Sequence, residues 1–269
     1  MLGGINMDAI SVVFINYNKK RALDESLQNT MGQLNFEEGD EIIVADGGST
    51  DGVEKMLERK YVPPTQFVRV EKRTAYNLNS VRNLGIESAT NELISIFDGD
   101  VIPQPGCIDV LRSFVEKGVF VSGLVIYEQS LKEQERMAKK YKGLAMPQFA
   151  LGVAPMDHIL NGLESNQTHV RGTIGSCICF HRQDAYNVGL FDEEYNGCWG
   201  YDETDFILKL HFNGVKILTP KNTKPLGMAI SYHQRHKSND KWKQKCMKRN
   251  ISILRNKLPD YKRGIFPNV

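Results

Sequence analysis

Leu93-Ile94-Ser95-Ile96-Phe97-Asp98-Gly99-Asp100 is the stretch on which the fold reading turns. An apolar run too short for a helix ends abruptly in two carboxylates separated by a glycine. Such a run reads as a buried strand, and the acidic end marks where it leaves the core. The same pattern occurs twice upstream. Ile10-Ser-Val-Val-Phe-Ile15 ends in Asn16-Tyr17-Asn18, and Glu41-Ile-Ile-Val-Ala45 ends in Asp46-Gly-Gly-Ser-Thr-Asp51-Gly52. Residues 66–70 predict a further strand. Helical patterns fill the gaps, over residues 19–33, 53–60 and 74–88. Strand–helix–strand at this spacing predicts right-handed βαβ units and a parallel sheet covered on both faces. Ligands of such sheets bind beyond the carboxyl ends of the strands. The polar clusters stand at those ends, so a site is located before any motif is named.

The second half is less regular. Residues 119–126 read as one strand, 128–142 as a charged helix, and 143–167 as a Gly/Pro/Asn-rich loop over the site. Residues 172–180 read as a strand, 202–213 as a helix and 215–218 as a strand. In residues 241–258, Met247, Ile251, Leu254 and Leu258 share one helical stripe, which is expected to pack on the body.

Composition limits the classes available. The 269 residues are 41% hydrophobic and 25% charged, as in globular proteins. No apolar run approaches the ~20 residues of a membrane span. The N-terminus lacks the layout of a signal peptide, so a cytoplasmic location is expected, with contact at the inner membrane face as an option. Five irregularly spaced cysteines, Cys107, Cys177, Cys179, Cys198 and Cys246, read as reduced thiols. The net charge of +2 is uneven. From Lys237 to Arg263 there are ten Lys/Arg and two Asp, which leaves 24 Lys/Arg against 30 Asp/Glu elsewhere. This tail suits an anionic membrane, or is a solvated helix face. No specific nucleic acid is expected, since the tail offers only Trp242 and Tyr261 for stacking.

Asp98 and Asp100 at a sheet mouth form a hard oxygen site. Mg²⁺ and Mn²⁺ take one or two carboxylates and complete their shells with substrate phosphates. Gly99 lets a phosphate or sugar approach the backbone. Asp46 is expected to accept an N–H from a nucleobase edge, with Gly48 leaving room for the ring. Arg82 reaches a phosphate, orients the carboxylates or forms a surface salt bridge; the residues alone do not choose. Trp199-Gly200-Tyr201-Asp202-Glu203-Thr204-Asp205 combines a ring on which a sugar can stack with carboxylates that can hold its hydroxyls. A carboxylate holding an acceptor hydroxyl is also a general base. His233 or His236 would add a nitrogen ligand, which favours Mn²⁺ over Mg²⁺.

Taken in order, Asn16-Tyr17-Asn18, Ala45 to Asp51, Arg82-Asn83-x-Gly85 and Asp98-Gly99-Asp100 resemble family 2 glycosyltransferases. Cys179-Phe-His-Arg182, then Val188-Gly-x-Phe-Asp-Glu193 and Trp199-Gly-x-Asp202-Glu203-x-Asp205, are similar to the galactosyl- and N-acetylgalactosaminyltransferase C-terminal segment, which also occurs in chondroitin-type polymerases. The resemblance implies a GT-A fold, α/β with a Rossmann-like, mostly parallel central sheet flanked by helices. It implies one domain over residues 1–269, with a nucleotide-sugar half (10–126), an acceptor half (127–236) and a basic helical tail (237–269).

The implied activity is a metal-dependent hexosyl transfer from a UDP-sugar to a glycan or lipid-linked glycan hydroxyl, with inversion. The donor nucleotide would meet Asn16, Tyr17, Asn18, Asp46, Gly48, Arg82, Asp98 and Gly99. Asp100, Asp98 and His233 would hold Mn²⁺ or Mg²⁺. Trp199, Gly200 and Asp202 would bind the acceptor, and Glu203 or Asp202 would be the base. The acidic pair reads Asp202-Glu203 where that segment usually has Glu-Asp.

Two rivals use the same scaffold. A non-catalytic sugar-binding module would need neither metal nor base, yet Asp98, Asp100 and Glu203 are all present. A sugar nucleotidyltransferase would carry a Gly-rich basic loop after the first strand, and Asn16-Tyr17-Asn18 is not one. A dinucleotide oxidoreductase is disfavoured by the lack of G-x-G-x-x-G at that place.

Overall fold

Strand β1 (Ile10–Asn16) is buried along its whole length. Its alternate side chains serve two cores, one on each face of the sheet. Val13 and Ile15 pack with Ile43, Ala45, Ile94 and Ile96. Val12 and Phe14 pack with Ile42, Val44, Leu93 and Phe97. A strand covered on both faces has no polar alternation, which is why these runs read as continuous apolar segments. The computed structural model describes residues 8–60, 65–70, 76–127, 152–153, 176–219, 229–234 and 240–266. The expectations for residues 128–142 and for His236 lie outside these, as does most of the loop expected over 143–167.

Helix α1 (Lys20–Met31), β2 (Glu41–Asp46), α2 (Val53–Lys60), β3 (Thr65–Arg69), α3 (Leu78–Ser88) and β4 (Leu93–Asp98) follow in the order expected from the sequence. β1 pairs in parallel with β2 and β4, and β2 in parallel with β3. Then come β5 (Val101–Pro103), α4 (Cys107–Phe114), β6 (Val119–Ser122), β7 (Leu124–Tyr127), β8 (Gly152–Val153), β9 (Cys177–His181), α5 (Arg182–Tyr186), α6 (Asp202–Phe212), β10 (Lys216–Thr219), β11 (Ile230–His233) and α7 (Asp240–Tyr261). Among the described residues the main sheet has the order β3-β2-β1-β4-β9-β6-β10-β8, and a second sheet the order β5-β11-β7. β9 runs antiparallel to both β4 and β6.

The single strand expected over residues 119–126 is two strands in two sheets. Gly123 is the break. A Cβ there would lie 2.4 Å from Cys177 Sγ and 3.0 Å from the Ala229 carbonyl oxygen. Its N–H donates to the Cys177 carbonyl at 2.8 Å. The chain is therefore pinned against β9 and turned into the second sheet. That turn has a functional result, because β11 of this sheet carries His233.

The tail stripe packs on the body as expected. Ile251, Leu254, Leu258 and Tyr261 are buried in the first core, with Met247 at its edge. Each such aliphatic side chain contributes about 1.5–3 kcal/mol on burial. Polar contacts fix the register: Lys257 pairs with Asp192, Tyr261 Oη donates to Asp205 Oδ1 at 2.5 Å, and Asn250 Nδ2 donates to the Gly200 carbonyl at 2.7 Å. The expectation of five reduced thiols is overturned. Cys198 and Cys246 form a disulfide with Cα atoms 5.0 Å apart, while Cys107, Cys177 and Cys179 are free and buried. The pairing spans 48 residues of sequence and is created by α7 lying against the 196–201 segment, so spacing alone could not disclose it. No helix among the described residues is long and apolar enough to cross a membrane.

Candidate active site

The carboxyl ends of β1, β2 and β4 meet in one cleft, as the strand register requires: Asn16 lies beside Asp46, and Ile15 beside Asp98. Asp46 is wholly buried. Its Oδ1 accepts from Asn16 Nδ2 (2.9 Å) and from the Ser49 hydroxyl. Its Oδ2 accepts from the N–H groups of Gly48 (3.0 Å) and Ser49 (2.8 Å) and from Arg69 Nε (2.9 Å). Burial raises its pKa, but the hydrogen bonds from Ser49, Asn16 and Arg69 outweigh burial and hold it below the usual carboxylate range. Both Asp46 oxygens are thus engaged by donors of the protein, and Asp46 shapes the turn, with Gly48 at φ +93°. Asn18 (φ +52°) accepts from the Thr50 N–H at 2.8 Å, so β1 and β2 are tied together at the rim. Between Asn16 and Asn18, Tyr17 is 56% exposed and offers an open ring at the mouth.

The DGD turn follows β4. Gly99 N–H donates to the Ile15 carbonyl at 2.8 Å. A Cβ at Gly99 would stand 3.0 Å from that oxygen and 3.2 Å from Asn16 Oδ1, so a side chain there would crowd the turn and push its neighbours by a few tenths of an ångström. Burial pushes the Asp98 carboxyl pKa up; Arg82 is its largest opposing charge, Asp100 adds to the rise, and Lys19 and His233 oppose it. At Asp100, Lys19 Nζ lies 2.5 Å from Oδ2 and His233 Nε2 3.7 Å from the same oxygen.

Tertiary pairing delivers His233. β5 begins one residue after Asp100 and runs antiparallel to β11, with Val101 opposite His233. The Gln234 N–H donates to the Asp100 carbonyl at 2.8 Å and locks this register. His233 Nδ1 lies 2.8 Å from the Gln234 carbonyl oxygen. That oxygen can only accept, so Nδ1 is the donor in this contact and Nε2 is the nitrogen turned towards Asp100. A backbone-anchored imidazole of this kind is how proteins orient metal ligands. Among the described residues no three His, Cys, Asp or Glu side chains converge, so the expected set Asp98, Asp100 and His233 is not preassembled. Arg82 is the largest charge acting on Asp98, while Lys19 and His233 act on both carboxylates. The donor set still suits a divalent cation whose shell is completed by substrate phosphates. A lysine ammonium, itself a cation, already stands at the carboxylate.

Arg82 decides the third constellation. It lies in the middle of α3 and its side chain has no exposed surface. Nη1 donates to Asp202 Oδ2 and Nη2 to Glu203 Oε1, both at 2.5 Å. The guanidinium also lies 4.9 Å from the Phe191 ring centroid. Of the roles open in the sequence the surface salt bridge is excluded; the carboxylates that Arg82 holds are Asp202 and Glu203, partners the sequence reading did not name. Asp202 and Glu203 open α6, where the helix dipole favours acids. The two are not equivalent: the Asp202 side chain is 5% exposed and that of Glu203 31%. Arg82 thus faces the carboxylate pair and also acts on Asp98.

Trp199 stands beside this pair, with Lys243 Nζ of α7 4.5 Å from its ring centroid. Gly200 adopts φ +95° and Tyr201 φ +66° to turn the chain into α6. Sequence reasoning missed Tyr76, which has φ +61° and meets Trp242 edge-on at 5.2 Å. Burial first, then the charge of Asp202, pushes its hydroxyl pKa up, which places it near the Arg82 cluster. Lys19 was missed as well. Both were legible only as unremarked polar residues next to motifs.

A family model described as Glycosyl transferase family 2 matches residues 11–188. The chain belongs to this family. It is 24% identical over 279 residues to the chondroitin synthase of Escherichia coli, covering 96% of this chain and 39% of that protein. The chain therefore spans about two-fifths of that relative's length. Two solved structures share its fold. GalNAc-T7, solved with UDP, GalNAc and Mn²⁺, superposes with a TM-score of 0.61 at 15% identity, over 87% of this chain and 45% of that one. The mannosyltransferase PcManGT of Pyrobaculum calidifontis, solved with GDP-Man and Mn²⁺, gives a TM-score of 0.57 at 16% identity, over 97% and 74%. The family 2 glycosyltransferase described here thus has the GT-A fold, as the resemblance implied. In this family member Arg82 links the two regions: it clamps Asp202 and Glu203 and is the largest charge opposing the burial of Asp98.

Proposed function

We propose that this chain transfers a hexosyl unit from a UDP-sugar to a glycan or lipid-linked glycan hydroxyl, with inversion, and that Glu203 is the base. The observation that carries the reading is the Arg82 clamp, which holds Asp202 and Glu203 and acts on Asp98 while leaving Glu203 partly exposed. On this reading Tyr17 stacks on the base, the Asn16–Asn18 and Gly48 rim encloses the nucleoside, and Asp98 and Gly99 face the ribose and diphosphate. Asp46 supports them through the turn. Asp100 and His233, assisted by Asp98, hold Mn²⁺ or Mg²⁺, which as a Lewis acid stabilises the charge on the departing diphosphate.

The acceptor ring lies against Trp199 and Gly200, with Asp202 orienting its hydroxyl through the clamp. Glu203 takes the hydroxyl proton as the acceptor oxygen bonds to the anomeric carbon and the bond to the diphosphate breaks. Attack from the side opposite the leaving group inverts the centre. Such a base contributes about 10²–10⁴-fold. A UDP donor is in line with GalNAc-T7, solved with UDP, whereas PcManGT carries GDP-Man. The test is a screen of nucleotide sugars for donor hydrolysis and transfer, with and without Mn²⁺. Turnover that needs the ion and falls about 10²–10⁴-fold in Glu203→Gln with donor binding retained is expected. Equal turnover in Glu203→Gln would remove it from the mechanism.

A further inference from the structure

Lys19 occupies a position that the transfer chemistry does not require. Its ammonium lies 2.5 Å from Asp100 Oδ2, and the same oxygen is 3.7 Å from His233 Nε2. An ion ligated by Asp100 Oδ2 and His233 Nε2 would compete with the ammonium for that oxygen. Two cations cannot share one carboxylate oxygen without strong repulsion, since unit charges at 4 Å already interact strongly near a protein surface. The two partners differ in freedom. The Asp100 side chain is 3% exposed and anchored by its own backbone, whereas Lys19 is 33% exposed on a flexible stem. Lys19 also lines a cleft of about 550 Å³ together with Asn18, Lys20, Arg21, Asp100 and Gln234. A diphosphate entering that cleft meets Lys19 along with Lys20 and Arg21, and of these Lys19 is the one paired with Asp100; lysine is a common point-charge partner of phosphate.

We propose that Lys19 is the resident counter-cation of Asp100 and is exchanged for the divalent ion when a nucleotide diphosphate enters, its ammonium moving to a phosphate oxygen. This rests on the metal-dependent reading above and deepens it. The ion alone must evict Lys19 into solvent, whereas the ion with a diphosphate gives Lys19 a new partner. Metal and nucleotide therefore bind with positive coupling, and Lys19 carries part of it. By linkage the coupling is the same measured from either ligand.

The experiment titrates wild type, Lys19→Met and Lys19→Arg with Mn²⁺ alone, with UDP alone, and with Mn²⁺ in the presence of UDP or inorganic pyrophosphate, by calorimetry and by the free-Mn²⁺ EPR signal. In Lys19→Met, binding of Mn²⁺ alone should tighten by about tenfold or more while metal-free UDP weakens, and the coupling factor should shrink correspondingly. Loss of a merely structural contact would not move the two ligands in opposite directions. Lys19→Arg should stay near wild type, and pyrophosphate should reproduce the effect of UDP. Equal Mn²⁺ affinity in Lys19→Met and wild type, with UDP-dependent Mn²⁺ binding intact in both, would overturn the Lys19 assignment and leave the metal site standing. Absence of Mn²⁺ binding in wild type even with UDP would overturn both. If Lys19→Met does not fold, Lys19→Gln takes its place in the same comparison.

Discussion

Replacing Arg82 by Met removes a guanidinium with no exposed surface and strands two carboxylates. Asp202, 5% exposed, loses the cation at its Oδ2; Glu203, 31% exposed, keeps access to water. The loss is therefore concentrated in Asp202. Breaking a buried pair by removing one partner costs about 3–5 kcal/mol, whereas the partly solvated Glu203 contact is worth about 1 kcal/mol or less. Urea unfolding of Arg82→Met is expected to show a loss of about 3–5 kcal/mol, a large share of the ~5–15 kcal/mol typical of a domain. The decisive comparison is a double-mutant cycle. Adding Asp202→Asn to Arg82→Met removes the stranded charge, so the double variant should be more stable than Arg82→Met alone by about 1–3 kcal/mol. Strictly additive losses would refute the closed ionic unit on which the proposed site is built. Glu203→Gln, by contrast, should unfold within about 1 kcal/mol of wild type.

Asp205 supplies a pH signature. Burial raises its pKa to about 6, against Lys209, Tyr261 and Lys257, which lower it, and Asp192, which raises it further. A carboxyl raised above its unfolded value binds its proton more tightly when native, so this group stabilises at low pH and loses that contribution as pH rises from about 4 to about 6. The Asp205→Asn variant should lack that downward component in unfolding titrations across the window, and an unchanged profile would count against it. Reducing Cys198–Cys246, or replacing Cys246 by Ser, should cost about 2–4 kcal/mol for a loop of this length and raise the acceptor KM more than it lowers kcat, because the Trp199 segment loses its tie to α7. Equal stability of oxidised and reduced protein would contradict the pairing. The apolar stripe of α7 is used by the body, so any membrane contact through the tail must be made by exposed cations such as Lys241, Lys245 and Lys248. Flotation with anionic vesicles should then disappear at about 0.5 M salt, and salt-resistant flotation would indicate inserted apolar surface.

The residue pattern determined β1, β2 and β4, because strands buried on both faces must be apolar throughout and must turn polar where they leave the core. It therefore determined the mouth of the sheet and the Asp98-Gly99-Asp100 turn, and the order of motifs pointed to the family. It could not determine partners brought together by pairing across the chain. His233 reaches Asp100 only because β5 zips against β11, and Cys198 meets Cys246 only because α7 docks. Arg82 showed three possible roles in sequence, of which burial removed the surface salt bridge. Asp46 went the other way: its type and position suggested a ligand contact, but the donors of its own turn and of Arg69 engage both oxygens. Local periodicity is written along the chain, whereas the charge compensation of each site residue depends on which distant groups the fold places within a few ångströms of it.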